Sequence, residues 1–306
     1  MKSKCIMTII LLCSAILLVG VYRHFKIQFA DSSWIADLGY EDNEIYKLTF
    51  HLIGDRSCPE IPVVIGNTEH RLLFDTGCGS GIFFTNVLED KIRYTLLGES
   101  EEFNRDGSQR GWSKGVIVDE FAVFGDTYND IETTISDWTM FSSIKFNGAI
   151  GLAYFKSKII TLDYSGHRIA VSSNPIDYSK LNLDEYVVLQ LHKSTSQGQE
   201  ALPFFEAEYN DEPVIVYLDT GTNYSYMYNP NSEHSMADKP KDFLNVPLKI
   251  GHAEIMLHDV VEVNDIAQAD GLPYPTMIEL NSDQLWKCNL LVTFDLIEQK
   301  IIFRKL

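Results

Sequence analysis

LLFDTGCGSGIFF (72–84) is the stretch on which the reading of this chain turns. An apolar run enters Asp75-Thr76-Gly77, and a burst of small residues follows. The glycines read as a turn whose backbone approaches a nucleotide or similar cofactor. The aspartate reads as a carboxyl catalyst held at the end of a strand. These thirteen residues fit both chemistries, so the rest of the chain has to separate them.

The chain repeats itself, which bears on the fold before any single motif does. VIVYLDTGTNYSYM (214–227) echoes the opening stretch, with Asp219-Thr220-Gly221 in the place of Asp75-Thr76-Gly77. LLVTFDLIEQKIIF (290–303) echoes KIITLDYSGHRIAV (158–171). Each half runs from an apolar strand through Asp-Thr-Gly and a variable middle to a Thr-apolar-Asp strand and a closing apolar strand. The segments between are short, alternating or apolar runs broken by Gly, Asp and Asn, as in IYKLTFHLI (45–53) and GVIVDEFAVFGD (115–126). That pattern predicts an all-β architecture. TNVLEDKIRYTLL (85–97) is the best helix candidate in the first half. The halves are expected at 45–175 and 184–306, joined by a linker at 176–183.

The nucleotide reading needs strands alternating with helices in a parallel sheet. LLFDTGCGSG resembles the first motif of S-adenosylmethionine-dependent methyltransferases, but GESEEFNRDGSQRGW (98–112) after the helix candidate is polar and turn-like. It also leaves the second Asp-Thr-Gly without a role.

With two Asp-Thr-Gly copies in duplicated halves, and Ala149-Ile150-Gly151 ahead of the last strands of the first half, residues 45–306 resemble the two-lobed aspartic proteases, pepsin-like and retropepsin-like. IGLAYFKSKIITLDY (150–164) is similar to the retropepsin-like branch. The resemblance implies a bilobal all-β fold, two related barrel-like lobes with a cleft between them. It implies a catalytic dyad of Asp75 and Asp219, active-site loops shaped by Thr76, Gly77, Cys78, Thr220, Gly221 and Thr222, and a polypeptide substrate bound extended under a hairpin flap. Two carboxyls face to face do not both ionise cheaply; they share a proton, one acting as base on a water while the other donates. Neither metal nor cofactor is required. Both copies lie in one chain, so a monomer suffices.

The sequence departs from the family in three places. Position 78 is Cys, where a hydroxyl residue or Ala is usual. Matching Thr293-Phe294-Asp295 to Thr161-Leu162-Asp163 sets Asn281-Ser282-Asp283 opposite Ala149-Ile150-Gly151, so the second half lacks a clean apolar-apolar-Gly element. The flap falls within GSQRGWSKGVIVDEF (107–121), with Trp112 as its candidate aromatic residue. A non-catalytic binding or sensing module on the same fold remains the alternative.

Composition narrows the partners. Lys and Arg number 25 against 43 Asp and Glu, a net charge of −18, which argues against nucleic-acid binding. The eight histidines show no metal-ligand spacing. Residues 1–26 carry an uncharged run from Cys5 to Tyr22 between basic flanks, about the shortest run that spans a bilayer. No clean cleavage site follows, so the segment reads as an uncleaved single-pass signal anchor with the body outside the cytoplasm; if cleaved, the body is secreted. The acidic stretch after it makes 27–44 a linker. Outside the apolar segment only Cys58, Cys78 and Cys288 remain, and a Cys58–Cys288 bridge is conceivable.

Overall fold

The computed structural model describes residues 31–53, 56–103, 108–138, 145–236, 238–266 and 268–305. The first half forms β1 (Ile45–Lys47), β2 (Thr49–Ile53), β3 (Arg56–Ile65), β4 (Thr68–Phe74), β5 (Ile82–Thr85), β6 (Tyr94–Phe103), β7 (Gln109–Val123), β8 (Asp126–Trp138), β9 (Gly148–Ile150), β10 (Ile159–Asp163) and β11 (Arg168–Ser172). The second half forms β12 (Tyr186–Gln190), β13 (Phe204–Tyr209), β14 (Glu212–Asp219), β15 (Ser225–Tyr228), β16 (Leu244–Ile250), β17 (Ala253–Val263), β18 (Thr276–Asn281), β19 (Leu290–Asp295) and β20 (Lys300–Lys305). The described helices are short: α1 (Ser33–Asp37), α2 (Ser282–Lys287) and single 3-10 turns. The molecule is all-β, as the strand spacing predicts.

Three sheets carry the architecture. An eight-stranded sheet, β2-β3-β4-β9-β5-β8-β7-β6, folds back on itself through a further β3–β7 pairing. A closed barrel of β13-β14-β18-β15-β17-β16 belongs to the second half. The third sheet, β1-β11-β10-β19-β20-β12, draws three strands from each half. The Thr-apolar-Asp repeats meet at its centre: Thr161 stands opposite Thr293 in the antiparallel β10–β19 pair, their hydroxyls 2.7 Å apart. Across this sheet the apolar faces of both barrels merge into one core that includes Phe74, Ile150, Leu218, Leu280, Val292 and Phe303.

Asp163 and Asp295, the acids of that repeat, cap turns. Asp163 accepts from the Gly166 N–H at 2.7 Å and from Arg168. Asp295 accepts from the N–H groups of Ile297 and Glu298 and from the Tyr178 hydroxyl. Both are fully buried, so satisfied donors are what make an acid tolerable there.

The helix expected over 85–97 does not form. One 3-10 turn, Asn86–Leu88, buries Leu88, and from Tyr94 the chain is β6, paired along β7. Cross-strand pairing there prevails over the helical spacing of the apolar residues. The linker expected over 27–44 is packed in its described part. Trp34 and Tyr40 are buried beneath the shared sheet with Ile159, Ala170 and Leu291, and the Tyr40 hydroxyl lies 2.8 Å from Thr161 Oγ1. Arg304 holds this strap by an ion pair to Asp31 at 3.0 Å and a hydrogen bond to Ser33 Oγ at 2.8 Å. The connection at 176–183 is also anchored, with Ile176 and Leu181 buried in the same cluster. Cys58 and Cys288 are free thiols, so the conceivable bridge is absent. The segment 1–26 lies outside the described residues, among which no helix is long and apolar enough to cross a membrane.

Candidate active site

Both Asp-Thr-Gly turns leave strands that run parallel to a second strand of their own half. β4 pairs with β9, Phe74 opposite Ile150; β14 pairs with β18, Leu218 opposite Leu280. The strands deliver Asp75 and Asp219 to one place, where the two half-buried carboxyls share a hydrogen bond. The small residues at 77–81 lead into β5, not into a helix. No helix N-terminus therefore forms there to cradle a phosphate or cofactor.

Each turn is braced by the other. The Thr76 hydroxyl donates to Leu218 O at 2.6 Å and accepts the Thr220 N–H at 3.1 Å. The Thr220 hydroxyl donates to Phe74 O at 2.5 Å and accepts the Thr76 N–H at 3.0 Å. Both threonines are buried. The glycines pack reciprocally: a Cβ on Gly77 would lie 2.5 Å from Asp219 Cγ, and one on Gly221 would lie 2.5 Å from Asp75 Oδ1. Only glycine allows backbone and carboxyl to approach so closely. The Gly77 N–H donates to Asp75 Oδ1 and the Gly221 N–H to Asp219 Oδ1, each at 2.8 Å.

The electrostatics follow from this packing. Burial, and then the charge of Asp219, hold Asp75 well above the usual carboxylate range. Burial raises Asp219 as well, opposed by donors from Gly221, Asp75, Tyr217 and Thr222. The pair therefore favours one shared proton, the state able to take a proton and give one in the same step.

No protein-family model matches the chain, and no curated protein matches it at a significant level.

The remaining residues named from sequence fall as follows. Cys78 is buried, its thiol pushed up to about 12 by burial and by Asp75, with Sγ 3.6 Å from Ser80 Oγ. Thr222 uses its N–H on the Asp219 carboxyl and its hydroxyl on Glu279. Trp112 lies on β7, paired across the ribbon with Glu101 and Asp137, and is half-exposed. A cavity of about 500 Å³ reaches the loop at Gly79 between Leu152 and Leu202 but includes neither carboxyl.

The strand pairing corrects the expected match between the halves. Tyr217 and Leu218 stand opposite Glu279 and Leu280, as Leu73 and Phe74 stand opposite Ala149 and Ile150. The counterpart of Ala149-Ile150-Gly151 is therefore Glu279-Leu280-Asn281, two residues before the match counted back from Thr293. The extra length is taken up by α2. Asn281 in the glycine's place bonds Ser225 Oγ and the Asn223 carbonyl, bracing the second loop with its side chain.

Sequence reasoning did not single out Tyr217 or Glu279. The Tyr217 hydroxyl donates to Asp219 Oδ2 at 3.3 Å, and Glu279 is buried, its carboxyl pushed up to about 8 first by burial and then by Asp219. The signal available was a lone glutamate inside the apolar run TMIEL (276–280). Buried acids are rare enough to mark sites.

Proposed function

We propose that the chain is a two-lobed aspartic endopeptidase with Asp75 and Asp219 as its dyad. The observation that carries this reading is the reciprocal lock: two carboxyls sharing a hydrogen bond, each turn braced by the other's threonine and backed by the other's glycine. Such a site is pre-organised, so little reorientation is needed at the moment of reaction. In the proposed mechanism the ionised carboxyl takes a proton from a water lying between the two. The protonated carboxyl donates to the scissile carbonyl oxygen as the water attacks its carbon. The tetrahedral intermediate then collapses as a carboxyl returns a proton to the departing amine.

The substrate is a polypeptide bound extended between the lobes, its main chain pairing with strand edges. The ribbon of β6 and β7 that carries Trp112 is the flap candidate. With 1–26 as a membrane anchor, substrates are proteins at the membrane surface. The test is cleavage of a diverse peptide library from pH 3 to 8 by wild type, Asp75→Asn and Asp219→Asn proteins, with and without a statine inhibitor. Cleavage that is lost in both variants and blocked by the inhibitor supports the dyad. A folded protein that cleaves nothing at any pH turns the reading to a binding module.

A further inference from the structure

The side chains beside the carboxyl pair differ between the halves. In the first half the row across β4, β9 and β5 is Leu73, Ala149 and Phe83. In the second, the row across β14, β18 and β15 is Tyr217, Glu279 and Tyr226, at 4%, 3% and 6% exposure. An acid enclosed at this depth is costly unless its neighbours satisfy it. Its bonds lead to one carboxyl of the pair. The Thr222 hydroxyl bonds Glu279 while its N–H bonds Asp219, and the phenol of Tyr217, next to Glu279 in the row, donates to Asp219 Oδ2. The first half has no such relay: Leu73 has no donor, and Cys78, matched to Thr222, turns its Sγ toward Ser80.

We propose that Glu279 is a third acid of the site, a positioning residue that acts through Thr222 and alongside Tyr217 to make Asp75 and Asp219 inequivalent. Its effect on turnover rests on the aspartic-protease reading; the coupling to Asp219 does not. Tyr217 favours charge on Asp219 and leaves the shared proton with Asp75. Glu279, kept protonated near neutral pH by burial, presents a neutral neighbour to that charge. As the pH rises and Glu279 ionises, its charge makes the shared proton harder to remove, so the singly protonated pair persists further into alkali. The groups facing Glu279 are Tyr217 and Asp219 on β14, Tyr226 on β15, Asp75 at the end of β4 and Asp265 after β17.

The test compares the full chain with its Glu279→Gln and Thr222→Val variants. Glu279→Gln is expected to keep KM and the unfolding temperature and to move the alkaline limb of kcat acidward by about one pH unit. Thr222→Val is expected to move it the same way by less. Isotope-edited infrared titration reads the coupling without turnover, and in Asp219→Asn the Glu279 carboxyl should titrate about one unit lower. An unmoved limb with an unmoved infrared titration overturns the proposal. A Glu279→Gln protein losing kcat and stability together, with its profile unchanged, also overturns it, because that is the signature of packing. If wild type cleaves no peptide, the functional reading fails, and the infrared titration alone decides the coupling.

Discussion

The Thr76 and Thr220 hydroxyls each bond the main-chain carbonyl of the residue preceding the other's aspartate, at 2.6 and 2.5 Å. Each also accepts the other's N–H, so every bond at the base of the site crosses between the halves. Replacing either by Val leaves a buried carbonyl and a buried N–H without a partner. Each single substitution is expected to cost about 2–4 kcal/mol by urea unfolding. The double variant should cost less than the sum, by about 1 kcal/mol. Strictly additive costs would mean that the two hydroxyls do not act as one unit.

Gly77 and Gly221 back the opposite aspartates, so Gly77→Ala and Gly221→Ala insert a methyl group where a carboxyl already lies. Each is expected to lower peptide cleavage by about 10²-fold through misplacement of the pair, with Asp75 and Asp219 both disturbed. Wild-type activity in either variant would show that the contact is not needed for function.

On the dyad reading, Asp75→Asn and Asp219→Asn lower kcat by about 10²–10⁴-fold while the protein stays folded, because each removes one partner of the proton exchange. Circular dichroism of the same preparations separates this from unfolding. Residual activity within a few-fold of wild type in either variant argues against the dyad.

Stability should depend on pH in the sense opposite to that of a protein rich in salt-bridged acids. Asp75, Asp219 and Glu279 all have carboxyls raised on folding. A raised acid contributes its full stability below its unfolded value and loses it as pH climbs through the folded one. For Glu279 that window runs from the ordinary 4.5 to about 8. Unfolding free energy should fall across it by roughly 1–4 kcal/mol, and Glu279→Gln should flatten the fall. Urea titrations at intervals from pH 5 to 9 measure it; a slope unchanged by the substitution would show that Glu279 does not titrate there.

Trp34 is fully buried in the strap beneath the shared sheet. Trp34→Ala is expected to cost about 3–5 kcal/mol. A cost below 1 kcal/mol, read by urea unfolding, would return the segment to the status of a tether.

The all-β class and the pairing of the two Asp-Thr-Gly turns were legible from the residues alone. Strand alternation is a local property, and an internal repeat needs no knowledge of contacts. The same local reading put a helix at 85–97, where the partner strand β7 decides otherwise. It also put a linker at 31–44, where one buried tryptophan outweighs a run of acids.

What the sequence determined by itself is thus the class of fold, its twofold plan and the two aspartates at corresponding strand ends. Only the tertiary structure decided which residues face one another across the strands. That set Glu279, not Asn281, opposite Ala149, and set Tyr217 beside Asp219. The physical reason is register. A two-residue shift keeps every side chain on the same face and leaves the alternation intact, so only the hydrogen-bonded pairing across the sheet distinguishes the two alignments.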